Sequence, residues 1–529
     1  MPPARLPVKK PLPKCRPRLA HTLLLLLVGG LGLLGPRVGV AQLYSATNYV
    51  QIPAGSSPAA VVRRAATVAP SARQLRWQQL ELTGFIHFGI NTFTNKEWGD
   101  GTESPALFNP TALDASQWVA ACKAGGIKQV ILTAKHHDGF CLWPSAYTEH
   151  SVKNSPWQNG HGDVVREVAA ACRAQGLGFG VYLSPWDRNS KFFGDSAKYN
   201  DYFVNQLTEL LSNYGRVDEV WFDGANGEGP TGKKQVYDFN RWYALIRRLQ
   251  PTATIAVMGP DVRWVGTESG YGRATEWSVV PLDNQQQAKV AATSQKEVAF
   301  APKNMMDDDL GSRAKIGGAP ALVWYPAEID VSIRPGWFYH PAEDAQVKTP
   351  AQLVDIYNSS VGRNGVLLLN APPDKRGLLA QPDIASLAGF GRALAQTYAT
   401  NLLAPAQVSG PNARQAKALL DKSYSTYWTT TGRDTTAVLT FALPAPQTFD
   451  TVLLQENIAV GQRIEGFVLE YKRGAQWLPV VAGTTVGYKR ILTFAPLRAQ
   501  QVRLRITSSR LNPTLSAVGL YKQAVSPKP

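Results

Sequence analysis

Asp223 closes the run Glu219-Val-Trp-Phe-Asp223-Gly224, where aromatic neighbours would pack beneath a sugar ring and keep water away. Cleaving a glycosidic bond takes two carboxyl groups, one ionised and one protonated, and a carboxylate at a strand terminus suits the ionised role. Asp also caps helices, but Gly224-Ala-Asn-Gly-Glu-Gly-Pro230 follows here instead of a helical turn. Other apolar runs end in polar and aromatic residues too. His87 lies in Gly84-Phe-Ile-His-Phe-Gly89, Tyr182 precedes Leu-Ser-Pro-Trp, and Lys135-His136-His137-Asp138-Gly139-Phe140 closes a third run. Adjacent histidines on a strand point to opposite faces, and neither an HExxH motif nor a cysteine cluster accompanies them. His136 and His137 are therefore read as hydrogen-bonding groups for ligand hydroxyls, with a metal pair as the weaker alternative.

The elements that would position these groups alternate. Strands are predicted at 84–89, 129–136, 178–185, 219–224, 252–259, 276–281, 322–330 and 365–371. Helices are predicted at 115–126, 196–215, 234–250, 351–361 and 381–400. Eight β/α units predict an α/β fold, a (β/α)8-type barrel whose reacting groups gather at the strand C-termini. No Gly-rich phosphate loop follows any strand, which disfavours an open nucleotide-binding sheet. After residue 400 the texture changes to short alternating runs at 437–443, 451–457, 465–471, 477–481, 489–494 and 501–506, which predict an antiparallel β-sandwich over 405–529. The catalytic barrel is expected over 76–400, and residues 42–75 read as a loosely held lead-in.

At 529 residues the chain is long enough for two or three folded units. Its formal charge of +16 is concentrated at the start: residues 1–41 carry seven Lys and Arg and no acid, leaving 16 − 7 = +9 for the rest. That remainder is dispersed, without basic–aromatic runs, so nucleic-acid binding is not expected. A basic stretch, the apolar run 23–35, and small Gly39 and Ala41 predict a signal peptide over 1–41, cleaved near Ala41. The mature protein is then expected to be exported, periplasmic or extracellular, with no membrane span. Cleavage would leave Cys122, Cys141 and Cys172, an odd number without metal-ligand spacing.

Taken in order, FIHFGINTF, KEWGDG, LTAKHHDGFCLWPS, VYLSPWDR and VWFDGANG resemble glycoside hydrolase family 29, the α-L-fucosidases. GPDVRWVGTESG, EWSVVP, YPAEIDVSIRPGWFYH and NSSVGRNGVLLLNAPPDKRGL extend the likeness, and the later motifs resemble the subgroup preferring α-1,3/1,4-linked fucose. The resemblance implies a retaining exo-glycosidase acting on fucosylated glycans through a covalent fucosyl-enzyme, with no cofactor. It makes Asp223 the nucleophile and Glu268 the acid/base. This sequence has Thr267-Glu268 where the family pattern has Asn-Glu, which keeps the carboxyl group. His87, Glu97, Trp98, His136 and His137 match residues that hold fucose hydroxyls; Tyr182 and Trp221 would line the pocket, and Trp337 would face the C5 methyl. Fucose lacks a 6-hydroxyl, so an apolar wall beside hydroxyl partners is the physical requirement. Glu97 suits a hydroxyl acceptor and Glu276 the opposite strand end, while Glu328 competes with Glu268 for the acid role. Two other readings are a fucose-binding barrel without turnover and a metal-dependent hydrolase using His136 and His137. The sandwich resembles discoidin-like galactose-binding domains through DKSYSTYW, FDTVLLQEN, VRLRI and AVGLY, with Trp428 either core or sugar platform.

Overall fold

The computed structural model describes residues 44–282 and 307–525, so the expected signal peptide lies outside the described residues. The chain opens with β1 (Tyr49–Gln51) and enters the barrel through β2 (Leu82–Ile86), β3 (Gln129–Lys135), β4 (Gly178–Leu183), β5 (Glu219–Phe222), β6 (Thr254–Val257) and β7 (Arg263–Trp264). After β8 (Val279–Leu282) and β9 (Ala321–Trp324), the barrel is completed by β10 (Ala327–Ser332) and β11 (Val366–Asn370). Eight parallel strands run in the order β6-β5-β4-β3-β2-β11-β10-β7. The ring is drawn together where Val262 bridges Ala256 and Val257 N–H donates to the Val262 carbonyl. Crossover helices begin at Asp114, Asp163, Asp195 and Asp238, whose carboxylates each accept a backbone N–H from the first turn.

Several expectations need correction. The run 276–281 is no barrel strand: β8 pairs antiparallel with β9, in a side sheet ordered β1-β9-β8. It is an edge strand, where Pro281 removes no ladder bond. The true eighth barrel strand is β7, two residues long and too short to show a period. The run 322–330 is two strands, β9 and β10, divided at Pro326. Finally, residues 42–75 are not loosely held. β1 pairs with β9, and the helix Pro58–Ala65 packs Val61, Val62 and Ala65 against Val279, Leu322 and Trp324. The partners of this lead-in lie more than 200 residues away, so local pattern could not announce them. The helix expected from 234 starts at Phe239, after its Asp238 cap.

The C-terminal domain is an antiparallel β-sandwich made of β12 (Gln407–Ser409), β13 (Trp428–Thr429), β14 (Ala437–Glu456), β15 (Ile464–Arg473), β16 (Gln476–Gly483), β17 (Arg490–Ser509) and β18 (Thr514–Tyr521). Two pairs of expected short strands are continuous: β14 and β17 each run 20 residues, with register shifts at 442/447 and 449/451. Trp428 is core, buried with its indole N–H on the Pro411 carbonyl at 2.8 Å. Cys122, Cys141 and Cys172 are free and buried. Among the described residues no helix is long and apolar enough to cross a membrane.

One buried ion pair ties the barrel's outer helix to the loop above β10. Arg334 and Asp383 are both fully enclosed, with Arg334 Nε 2.9 Å from Asp383 Oδ1. Removing one partner of such a pair strands the other charge, at about 3–5 kcal/mol. Asp383→Ala should therefore cost about 3 kcal/mol, the low end, because half-exposed Asp344 still pairs with Arg334 at 2.9 Å. The shift of the denaturant midpoint measures it; a loss below about 1 kcal/mol would show that the pair holds nothing.

Candidate active site

Alternation along the barrel strands sends 219, 221 and 223 inward on one strand, 328, 330 and 332 on another, and 366, 368 and 370 on a third. The inward set forms an apolar plug of Phe85, Ile131, Tyr182, Trp221, Val366 and Leu368, distinct from the layer between strands and helices. Above it stand the polar strand ends.

Asp223 follows the last residue of β5. Its Oδ2 accepts the Tyr182 hydroxyl at 3.1 Å, and its Oδ1 accepts the Ala225 N–H at 2.6 Å. The aspartate shapes a turn, not a helix cap. His137 Nε2 lies 3.9 Å from the same Oδ2. The tautomer follows from the hydrogen-bond chain. Ser184 donates its hydroxyl to the Trp186 carbonyl at 2.6 Å, so it must accept from His137 Nδ1–H at 2.8 Å. His137 Nε2 is then a lone pair facing a carboxylate oxygen, two acceptors that a ligand hydroxyl donating between them would satisfy.

His87 is fixed in the same way. Asn370 Nδ2 donates to Ser332 Oγ at 2.9 Å and to the Trp337 carbonyl at 2.8 Å, which sets the amide's orientation. Asn370 Oδ1 then accepts from both His87 N–H, at 3.2 Å, and His87 Nδ1–H, at 2.9 Å. That leaves His87 Nε2 as an acceptor. His136 stacks on Tyr182 with ring centres 5.8 Å apart, and its Nδ1 lies 3.4 Å from Asn91 Nδ2. Because β3 ends at Lys135, His136 and His137 are not held to opposite faces; their ring centres are 4.1 Å apart. Gly139 makes this turn possible: at φ +80°, a Cβ there would sit 2.4 Å from Asp187 Oδ1.

Trp98 is 54% exposed and stands edge-on to His137 and Trp186 at the rim. Trp337 packs beside His87 at 5.1 Å and donates its indole N–H to Glu268 Oε2 at 3.2 Å. Glu268 is exposed on its loop, whereas its competitors are committed elsewhere. Glu328 is fully buried beneath Trp221, whose indole N–H donates to it at 2.6 Å. Glu276 is buried against Arg263 and Arg273. Glu97 accepts the N–H groups of Trp337 and Phe338 at 2.8 and 3.1 Å and touches His340 Nε2 at 2.7 Å, so it also braces the Trp337 loop. Reading of the sequence overlooked Asn370, Ser184 and Trp186. Asn370 ends β11 and Ser184 follows β4, so the rule that exposed His87 and Asp223 would have found both.

Burial pushes the His87 ring down to about 3 and holds His136 well below, and His137 below, the usual histidine value. All three are neutral at working pH, each keeping one N–H and one lone pair. The folded chain refuses protons that an unfolded histidine takes up below about pH 6.5, so stability is intact above that pH and lost as pH falls toward the folded values. Imidazole 15N shifts should show no protonation of His87 between about pH 8 and pH 5; a midpoint near 6.5 would mean the ring is solvated.

The alpha-L-fucosidase family model matches residues 73–397, and the F5/8 type C domain model matches residues 404–518. The chain is 42% identical over 468 residues to alpha-L-fucosidase 1 of Arabidopsis thaliana, covering 86% of this chain and 88% of that one. It resembles a solved glycoside hydrolase 29 family member from an unknown rumen bacterium, with 39% identity and a TM-score of 0.71, over 86% of this chain and 77% of that one. A Ruminococcus gnavus GH29 fucosidase in complex with fucose is 31% identical with a TM-score of 0.75, over 86% of this chain and 95% of that one.

Proposed function

The chain belongs to the alpha-L-fucosidase family of glycoside hydrolases, and from that membership we propose that it releases terminal α-L-fucose with retention, using Asp223 as nucleophile and Glu268 as acid/base. The observation that carries this reading is the environment of Asp223. Its carboxylate sits at the end of β5, held by Tyr182 and the Ala225 N–H, beside a neutral His137. In the first step Asp223 Oδ attacks C1 while the C1–O bond to the leaving sugar breaks and Glu268 gives that oxygen its proton. In the second, Glu268 takes a proton from water, whose oxygen displaces Asp223. His87 and His137 offer lone pairs to fucose hydroxyls, and Trp337 supplies the apolar wall for the methyl group. Glu268 is favoured over Glu328 because only Glu268 can reach a leaving group at the rim.

The natural substrates on this reading are fucosylated oligosaccharides or glycoproteins, with α-1,3/1,4 linkages preferred. The support is the likeness of the stretch 325–340, whose Trp337 loop lies beside Glu268. The apolar run at 23–35 supports export. Hydrolysis of a panel of oligosaccharides differing only in linkage should give higher kcat/KM for α-1,3/1,4- than for α-1,2-fucose. Equal or higher values for α-1,2 would end the linkage assignment alone.

The acid and nucleophile separate by chemistry. Glu268→Ala should lose natural glycans by about 10²–10⁴-fold yet still form the fucosyl-enzyme from activated aryl fucosides. Azide should then turn it over to the α-fucosyl azide, by attack on the β-linked intermediate. Asp223→Ala should lose both substrates, and any azide product should be the β anomer. Near wild-type cleavage of natural glycans by Glu268→Ala would remove it from the acid role.

A further inference from the structure

Two carboxyl groups are enclosed at the barrel floor, below the reacting groups. Glu219 begins β5, and its Oε2 accepts the Trp77 indole N–H at 3.1 Å and the Gln129 amide at 2.6 Å. Glu328 on β10 accepts the Trp221 indole N–H through Oε1. The remaining oxygens, Glu219 Oε1 and Glu328 Oε2, are buried with no donor among the described residues. The two side chains lie within hydrogen-bonding reach of each other. Carboxylates accept and do not donate, so two of them in contact, out of water, require a proton between them.

The pair also connects upward. Trp221, anchored on Glu328, stacks on Tyr182 with ring centres 5.2 Å apart at 25°, and Tyr182 holds Asp223. Four residues up β5 from Glu219 stands Asp223, and four up β10 from Glu328 stands Ser332, which holds Asn370. The charges around the pair do not neutralise it. Asp218 lies near and opposes its ionisation, and buried Asp330, near enough to feel Glu328, is itself raised; Arg216 is spent on Asp218 at 2.6 Å and Arg73 on Asp261 at 3.5 Å. Arg76 is exposed and reaches the Thr252 carbonyl.

We propose that Glu219 and Glu328 share one proton and that this neutralised pair is a positioning element, seating Trp221 and through it Tyr182 and the nucleophile Asp223. The kinetic part rests on the fucosidase reading above. Loss of the proton would put two negative charges face to face under Trp221, draw water into the floor and unseat the indole. Burial raises both carboxyls above the usual glutamate range, with the charge of Glu219 adding to the rise at Glu328 and that of Asp218 to the rise at Glu219. For groups raised on folding, stability is full below the unfolded value of about 4.3 and is lost as pH rises through the folded value.

The test compares wild type with Glu328→Gln, whose amide oxygen can still accept from Trp221 and whose NH2 can donate to Glu219. Two quantities are read from about pH 6 to about pH 10: kcat/KM for an activated aryl α-L-fucoside, and Tm. This kcat/KM covers only fucosyl-enzyme formation with a good leaving group, so ionisation of Glu268 does not enter. In wild type, kcat/KM should fall about tenfold per pH unit above a single alkaline midpoint, and Tm should decline toward that midpoint. Glu328→Gln should match wild type near pH 6, lose the kinetic limb and show a shallower decline of Tm, the remainder belonging to Asp138, Asp330 and Glu456, which burial also raises. If Glu328→Gln fails to fold, Glu219→Gln makes the same replacement from the other side. A wild-type kcat/KM and Tm that stay flat, or dependences unchanged in the Gln variants, overturn the proposal. A variant that shows the shallower Tm decline but keeps the kinetic limb overturns the link to Asp223. Should the chain prove to have no turnover, the Tm comparison still decides whether the proton is shared.

Discussion

A closed parallel barrel turns every second strand residue toward an interior where a polar atom without a partner is costly. This chain places carboxyls, histidines and indoles there, and the whole site depends on their satisfying one another. Trp221 shows the constraint most simply. Its ring packs with Phe85 and Tyr182, its N–H goes down to Glu328, and Tyr182 carries the contact up to Asp223. Trp264 repeats the pattern on β7, donating at 2.8 Å to buried Asp330. Indoles suit these positions because they bring apolar area and a single donor, and the inward carboxyls supply acceptors.

The same economy of donors fixes the histidines. His87 and His137 each have one ring nitrogen consumed by a neighbour whose own bonding is already determined: Asn370 for His87, Ser184 for His137. Orientation and tautomer are thus set before any ligand arrives, which lowers the reorganisation that binding would otherwise require. The loop carrying Trp337 is restrained from three directions. Asp383 holds Arg334 from the outer helix, Glu97 takes the N–H groups of Trp337 and Phe338, and Asn370 takes the Trp337 carbonyl. Asn370 therefore links His87 and Trp337, so a shift in one wall of the pocket would move the other.

The sandwich contributes from below and behind. Glu276 is neutralised by Arg263 and Arg273, and its backbone is held by Thr485 and Gln462 of the C-terminal domain. Asn364, at φ +66°, receives the Tyr488 N–H and donates to the Glu276 carbonyl. Gly487 packs so closely that a Cβ would lie 2.2 Å from the Asn364 amide. These contacts brace β7, the two-residue strand that is the weakest arc of the ring, and β8 in the side sheet next to it. With Trp428 in the core, the domain's visible part in the structure is this buttress.

Much of this was legible in the sequence because it is local. Period-2 apolar runs and Asp-capped helical stretches gave the β/α alternation, and polar residues closing those runs marked His87, His136, His137, Tyr182 and Asp223. The motifs around Glu268 and Trp337 entered by resemblance, since a loop carries no period. What only the tertiary structure decided involves partners far apart in the chain. That 276–281 serves a side sheet, that β7 closes the ring, and that residues 49–51 pair with β9 all follow from contacts tens to hundreds of residues distant, or from a strand too short to pattern. The placing of Glu268 and Glu328 is of the same kind. Both are glutamates in plausible motifs, and only closure of the barrel puts one at the rim in water and the other beneath an indole, facing a second carboxyl.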